Sequence, residues 1–144
     1  MIPVEQYKQI LEVMPILCVD VVIKNSCGEY LLVKRANEPC KGQWWVVGGR
    51  VLKNETLEQA VLRKVKQEIG LTVQALDPLG YYEDRFEKNS IKLDSPLHAV
   101  SVVFSTVIDG EQVIKLDGQS HEWKFFKELP RAFRVKAFHG GCPA

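Results

Sequence analysis

Apolar and polar positions along the chain alternate with two periods, and the change from one to the other marks out the elements. The clearest helical pattern lies between Thr56 and Gly70, where Leu57, Val61 and Val65 share one face with Ala60, Leu62 and Ile69 on its shoulders. Thr56 followed by Gln59 has the spacing of a capping box, and Gly70 suits a left-handed stop after the last turn. Glu68 falls close to the centre of the apolar face, with Lys64 one turn before it. A carboxylate there needs a partner or a metal ion to tolerate burial. The pattern thus marks Glu68 as a candidate functional residue.

Other elements follow from the same reading. Val4, Tyr7, Ile10 and Leu11 have helical spacing and predict a short leading helix. PILCVDVVIKN (15–25) is nearly continuous in apolar character and reads as a central strand. Asp20 interrupts it among the same-face neighbours Ile16, Cys18 and Val22, which makes it a second candidate. Asn25 to Gly28 predicts a turn and EYLLVKR a hairpin partner. WWVV (44–47) reads as one short strand leading to Gly48, and TVQALDPLGYYED (72–84) as extended chain. Residues 85–96 read as a charged loop, HAVSVVFSTVI (98–108) as the strongest strand, and EWKFF (122–126) as the last one. RAFRVKAF (131–138) is expected to form a short terminal helix. The sum is an α/β domain with a mixed sheet and few helices.

Composition narrows the function without naming it. One domain over residues 1–144 is expected, since no repeat or linker divides the chain. Nineteen Lys and Arg against eighteen Asp and Glu give a net charge of +1, which offers no general attraction to nucleic acid or membrane. Any anion must be met by local groups. No apolar run has membrane-spanning length, and MIPVEQYKQI lacks the plan of a signal peptide. Cys18, Cys27, Cys40 and Cys142 have no C-x-x-C spacing, so reduced thiols and a cytoplasmic location are expected.

The spacing Gly49, five residues, Glu55, seven residues, Arg63, then VKQEIGL resembles the Nudix box, G-x5-E-x7-R-E-U-x-E-E-x-G-U with U apolar. Gly49, Glu55, Arg63, Val65, Glu68, Gly70 and Leu71 match it; Lys64 and Gln67 stand where the family has glutamates. The resemblance implies a Nudix-like α/β/α sandwich with a loop-helix-loop motif. Loss of those two glutamates, together with the stretch LLVKRANEPCKGQWWVVGGR (31–50), resembles the GDP-mannose mannosyl hydrolase branch. That branch implies Mg²⁺-dependent hydrolysis of a nucleotide sugar to nucleoside diphosphate and free sugar, by water attack at the anomeric carbon. It also implies a homodimer, for which the aromatic pairs Trp44-Trp45 and Tyr81-Tyr82 offer a surface, although core packing or base stacking fits them equally.

Residue by residue, the resemblance implies Glu68 and Gln119 as side-chain ligands of one Mg²⁺ (or Mn²⁺), with Gly48 ligating through its carbonyl. Arg35 and Arg50 would hold the diphosphate, Asp20 would lie beside the sugar, and Gly49, Glu55, Arg63 and Gly70 would maintain the motif, with Arg63 bound to Glu55. His121 is the candidate general base, one residue later than the branch places its histidine. Ala99 replaces a tyrosine of the branch. Alternatives are cleavage of the phosphoanhydride of another nucleoside diphosphate derivative, and nucleotide binding without hydrolysis.

Overall fold

The computed structural model describes residues 2–36, 41–86, 97–109, 113–116 and 120–138. Helix α1 (Val4–Val13) leads into strand β1 (Ile16–Lys24), which pairs in parallel with β6 (Leu97–Val107) and antiparallel with β4 (Val47–Arg50). A turn joins β1 to β2 (Tyr30–Arg35), with the Asn25 side chain accepting from the amides of Cys27 and Glu29 at 3.0 and 2.9 Å. Strand β2 carries β3 (Trp44–Trp45) and β7 (Ser120–Phe126). On the other side β6 pairs with β5 (Asp77–Phe86), which pairs with β8 (Lys136–Ala137). The sheet is mixed because, among the described strand pairs, β1–β6 is parallel and the others are antiparallel.

Helix α2 (Leu57–Ile69) covers one face of this sheet. Its buried Ala60, Val61, Val65 and Ile69 meet Val19, Val21 and Ile23 of β1, so one alternate set of the central strand fills the main core. The other face receives α1, through Tyr7 and Leu11 against Ile16, Leu97 and Ala99. Both reciprocal bonds of the capping box are present at Thr56 and Gln59, and Gly70 closes the helix at φ 72°. Local chemistry therefore sets both ends of α2, while burial fixes its orientation.

Several expected boundaries move. WWVV is two strands parted at Val46, and β4 extends through the glycines to Arg50. Regular pairing in the 72–84 stretch begins only at Asp77, and Arg85 and Phe86 belong to β5 rather than to a loop; 87–96 lie outside the described residues. The expected terminal helix does not form. Phe133 bonds back to Pro130 in a turn and buries its ring, after which Lys136 and Ala137 pair with Tyr81 and Gly80 of β5. The unpaired backbone groups of β5 explain that outcome, since a strand satisfies them and a helix would not. Gly80 accommodates the approach, because a Cβ there would run into the Lys136 carbonyl.

Candidate active site

Asp20 lies at the centre of β1, 6% exposed, on the face opposite α2. The Tyr82 hydroxyl donates to its carboxylate in a very short hydrogen bond, and the Trp45 side chain also reaches it. Burial pushes the Asp20 pKa up to about 7, with the Tyr82 bond and the charge of Arg35 pulling the other way and Glu68 adding to the rise. Burial also raises the Tyr82 pKa, so that hydroxyl remains a donor. The result is a carboxyl group able to gain or lose a proton near neutrality.

Two adjacent glycines of β4 let charged side chains approach the backbone from opposite sides. Gly48 pairs with Asp20 across the strands, and a Cβ on Gly48 would collide with the Asp20 carboxylate and the Val19 carbonyl. At Gly49 a Cβ would collide with the end of the Lys64 side chain. Alternation along a strand turns successive positions to opposite faces, which explains the separate neighbours. Gly48→Ala is expected to cost about 2 kcal/mol, the range of overpacking a fixed interior. Urea unfolding checks this; an unchanged midpoint would mean that β4 is not confined at Gly48.

Lys64, one turn before Glu68, turns inward rather than to solvent. Its side chain is 16% exposed and its ammonium lies 3.3 Å from Glu68, whose side chain is 7% exposed. This is an inward ion pair, not a solvated one.

Arg63 ties the loop before α2 to the sheet. Its guanidinium donates to both Glu55 oxygens at 2.6 and 3.0 Å, to the Arg50 carbonyl at 2.9 Å and to Gln67 at 3.3 Å. Glu55 also accepts from the Leu52 amide at 2.9 Å. The Arg63 bonds hold the Glu55 carboxyl below its ordinary pKa despite partial burial. Arg50 packs its guanidinium over the Tyr7 ring, 4.4 Å from the centroid, so α1 helps to place it. Arg35 ends β2 close enough for its charge to act on Asp20.

Asp20, Gly48 and Arg50 thus lie on the face of β1 and β4 away from α2, and Lys64 and Glu68 on the α2 face, with the charges of Arg35 and Glu68 acting on Asp20. Gln119 lies outside the described residues, as does the side chain of His121. The His121 backbone is in β7 at an irregularity: Glu122 faces Lys34 and Ser120 faces Arg35, leaving His121 as the extra residue of the bulge. Ala99 is buried against α1.

Three contributors escaped the sequence reading: Tyr82, Trp45 and Tyr7. Tyr82 stands opposite Ser101, on the same face as Asp20, but that register depends on two strand pairings that no local pattern gives. The aromatic pairs also pack internally, Trp44 on Phe126, Trp45 and Tyr82 on Phe133, and Tyr81 on Phe138.

The expected Mg²⁺ can be tested against this donor set. Helix α2 offers one inward carboxylate, and an ammonium already neutralises it; among the described residues no group of three His, Cys, Asp or Glu side chains is arranged to hold a metal ion. A hard divalent ion needs several oxygen ligands and no cation within contact distance. Among the described residues, which do not include the expected ligand Gln119, the arrangement around Glu68 does not fit it. Among the described residues no helix is long and apolar enough to cross a membrane, and Cys18 and Cys27 are free thiols.

A mixed sheet carrying a glycine pair, a glutamate–arginine clamp and a capped helix defines the class. Residues 14–135 match the NUDIX domain, and the chain belongs to the Nudix hydrolase family. It is 32% identical over 126 residues to the low-salt glycan biosynthesis protein Agl8 of Haloferax volcanii, covering 88% of this chain and 80% of that protein. It is 36% identical over 118 residues to an ADP-ribose pyrophosphatase of Methanocaldococcus jannaschii, covering 81% of this chain and 66% of that protein. The solved MutT protein of Methanosarcina mazei superimposes with a TM-score of 0.65 at 27% identity, over 78% of this chain and 77% of that one. Nudix hydrolases generally use a divalent metal ion, typically Mg²⁺, which makes the Lys64–Glu68 pair a departure within the family.

Proposed function

We propose that this chain hydrolyses a nucleotide sugar to a nucleoside diphosphate and the free sugar. The observation that carries the reading is Asp20, a buried carboxyl with a pKa of about 7 that lies within the influence of Arg35 and Glu68 beside the glycine pair. Asp20 takes the proton that water gives up as its oxygen bonds to the anomeric carbon. The bond from that carbon to the diphosphate oxygen breaks, and its electron pair leaves with the nucleoside diphosphate. Arg35 and Arg50 hold the diphosphate, where two permanently charged forks stabilise the departing negative charge. Tyr82 keeps Asp20 oriented, and the clamp from Arg63 to Glu55 and the Arg50 carbonyl fixes the strand that presents Arg50. Similarity to a glycan biosynthesis protein supports a sugar-bearing substrate, and GDP-mannose is the first to test because of the resemblance in residues 31–50.

Similarity to an ADP-ribose pyrophosphatase favours a second reading, attack on the phosphoanhydride. Turnover in ¹⁸O-labelled water separates the two. The expected result is GDP with the label in the free sugar. GMP and sugar phosphate, with the label in a phosphate group, would establish the second reading instead. Nucleotide-sugar binding without either product set would leave a recognition domain.

A further inference from the structure

We infer that Lys64 is a built-in cation of this site, occupying the electrostatic place beside Glu68 that a divalent metal ion would otherwise take. The inference deepens the reading of this region as the hydrolytic centre and rests on it for its meaning, but its physical basis is separate. The ammonium lies 3.3 Å from the Glu68 carboxylate, with both side chains largely withdrawn from water at 16% and 7% exposure. The lysine stem runs against Gly49, where any side chain would displace it. The pose is therefore held at two points, by an ion pair at the tip and by a glycine-sized recess along the stem.

An exposed lysine one turn from a glutamate would exchange its partner for water or for a metal ion at little cost. A withdrawn one is different. Dividing the pair leaves two poorly hydrated charges, and a divalent ion entering beside Glu68 would meet the ammonium at contact distance. An ammonium supplies a single charge and three hydrogen-bond donors, whereas Mg²⁺ supplies two charges and direct coordination of several oxygens. Lys64 therefore neutralises Glu68 and leaves recognition of a diphosphate to the arginines, Arg35 and Arg50.

Mn²⁺ binding, followed by the electron paramagnetic resonance of the free ion, tests this without reference to turnover. The wild-type chain and Glu68→Gln are expected to bind Mn²⁺ equally weakly. Lys64→Met, similar in length and uncharged, is expected to bind at least roughly tenfold tighter, from loss of one adjacent positive charge. The added affinity should vanish in the Lys64→Met, Glu68→Gln double variant. Lys64→Gln provides the same comparison if the methionine variant does not retain the wild-type circular dichroism spectrum. Wild-type affinity that Glu68→Gln abolishes, or no gain in the folded neutral variants, would overturn the inference. Absence of turnover on any nucleotide sugar would count against the proposed reaction alone, since the Mn²⁺ measurement does not depend on it.

Discussion

Asp20→Asn is expected to slow hydrolysis by about 10³-fold, the middle of the range for loss of a positioned acid–base group, while making the folded protein more stable above neutral pH. Both effects come from one feature. Burial raises the Asp20 pKa from 3.8 to about 7, so the folded state disfavours the carboxylate that the unfolded chain carries freely. Below pH 3.8 the group is protonated in both states and contributes no penalty. Between there and about 7 the folded state holds more protons, and stability falls as pH rises through that interval. Above it the penalty is complete. Asparagine keeps the acceptor for Tyr82 and has no charge to bury.

The variant should therefore match wild type near pH 3.5 and exceed it by about 2 kcal/mol at pH 8, below a ceiling of about 4 kcal/mol because polar groups relax around a buried charge. Urea unfolding at the two pH values measures this difference. Wild-type kcat/KM should rise through an inflection near 7 as the base ionises. Equal stability of the two proteins at pH 8 would show that Asp20 is well solvated, and wild-type turnover by the variant would remove it from proton transfer.

Arg63→Met is expected to be the most damaging single change to the motif, costing about 2 kcal/mol, as for loss of charge-assisted hydrogen bonds in a partly buried pair. It removes both Arg63 bonds from Glu55, leaving the Leu52 amide on that carboxylate, and frees the Arg50 carbonyl and Gln67 together. Activity should fall with stability because β4 and the loop before α2 lose their common tie. Arg63→Lys provides the informative comparison. It restores charge but cannot span both Glu55 oxygens and the Arg50 carbonyl, so its urea midpoint should lie between methionine and wild type. A lysine variant as stable as wild type would show that charge suffices and the fork does not matter.

Much of this site was legible because it is local. The capping box at Thr56 and Gln59, the left-handed Gly70, the inward face carrying Glu68 and the spacing from Glu55 to Arg63 all lie within one loop and one helix. Asp20 was legible for another reason, a carboxylate among apolar residues of one strand face. Failures occurred where distant segments decided the outcome. Residues 131–138 read as a short helix after Leu129-Pro130, yet the open edge of β5 drew Lys136 and Ala137 into a strand. Trp44-Trp45 read equally as a surface or as core, and only the contacts of their rings with Phe126 and Phe133 decide for packing.

The amino-acid sequence by itself determined the mixed α/β class, the ends of α2 and the placement of one acidic residue on its buried face. Those properties depend on side-chain period and on bonds between near neighbours. Only the tertiary structure decided the surroundings of Asp20, Arg50 and Lys64. Tyr82, 62 residues away, reaches Asp20 through strand register, and Tyr7 reaches Arg50 because α1 folds back on the sheet. Lys64 could have pointed to water or inward from the same helix position. It turns inward because Gly49, on a separate strand, leaves room for its stem beside Glu68.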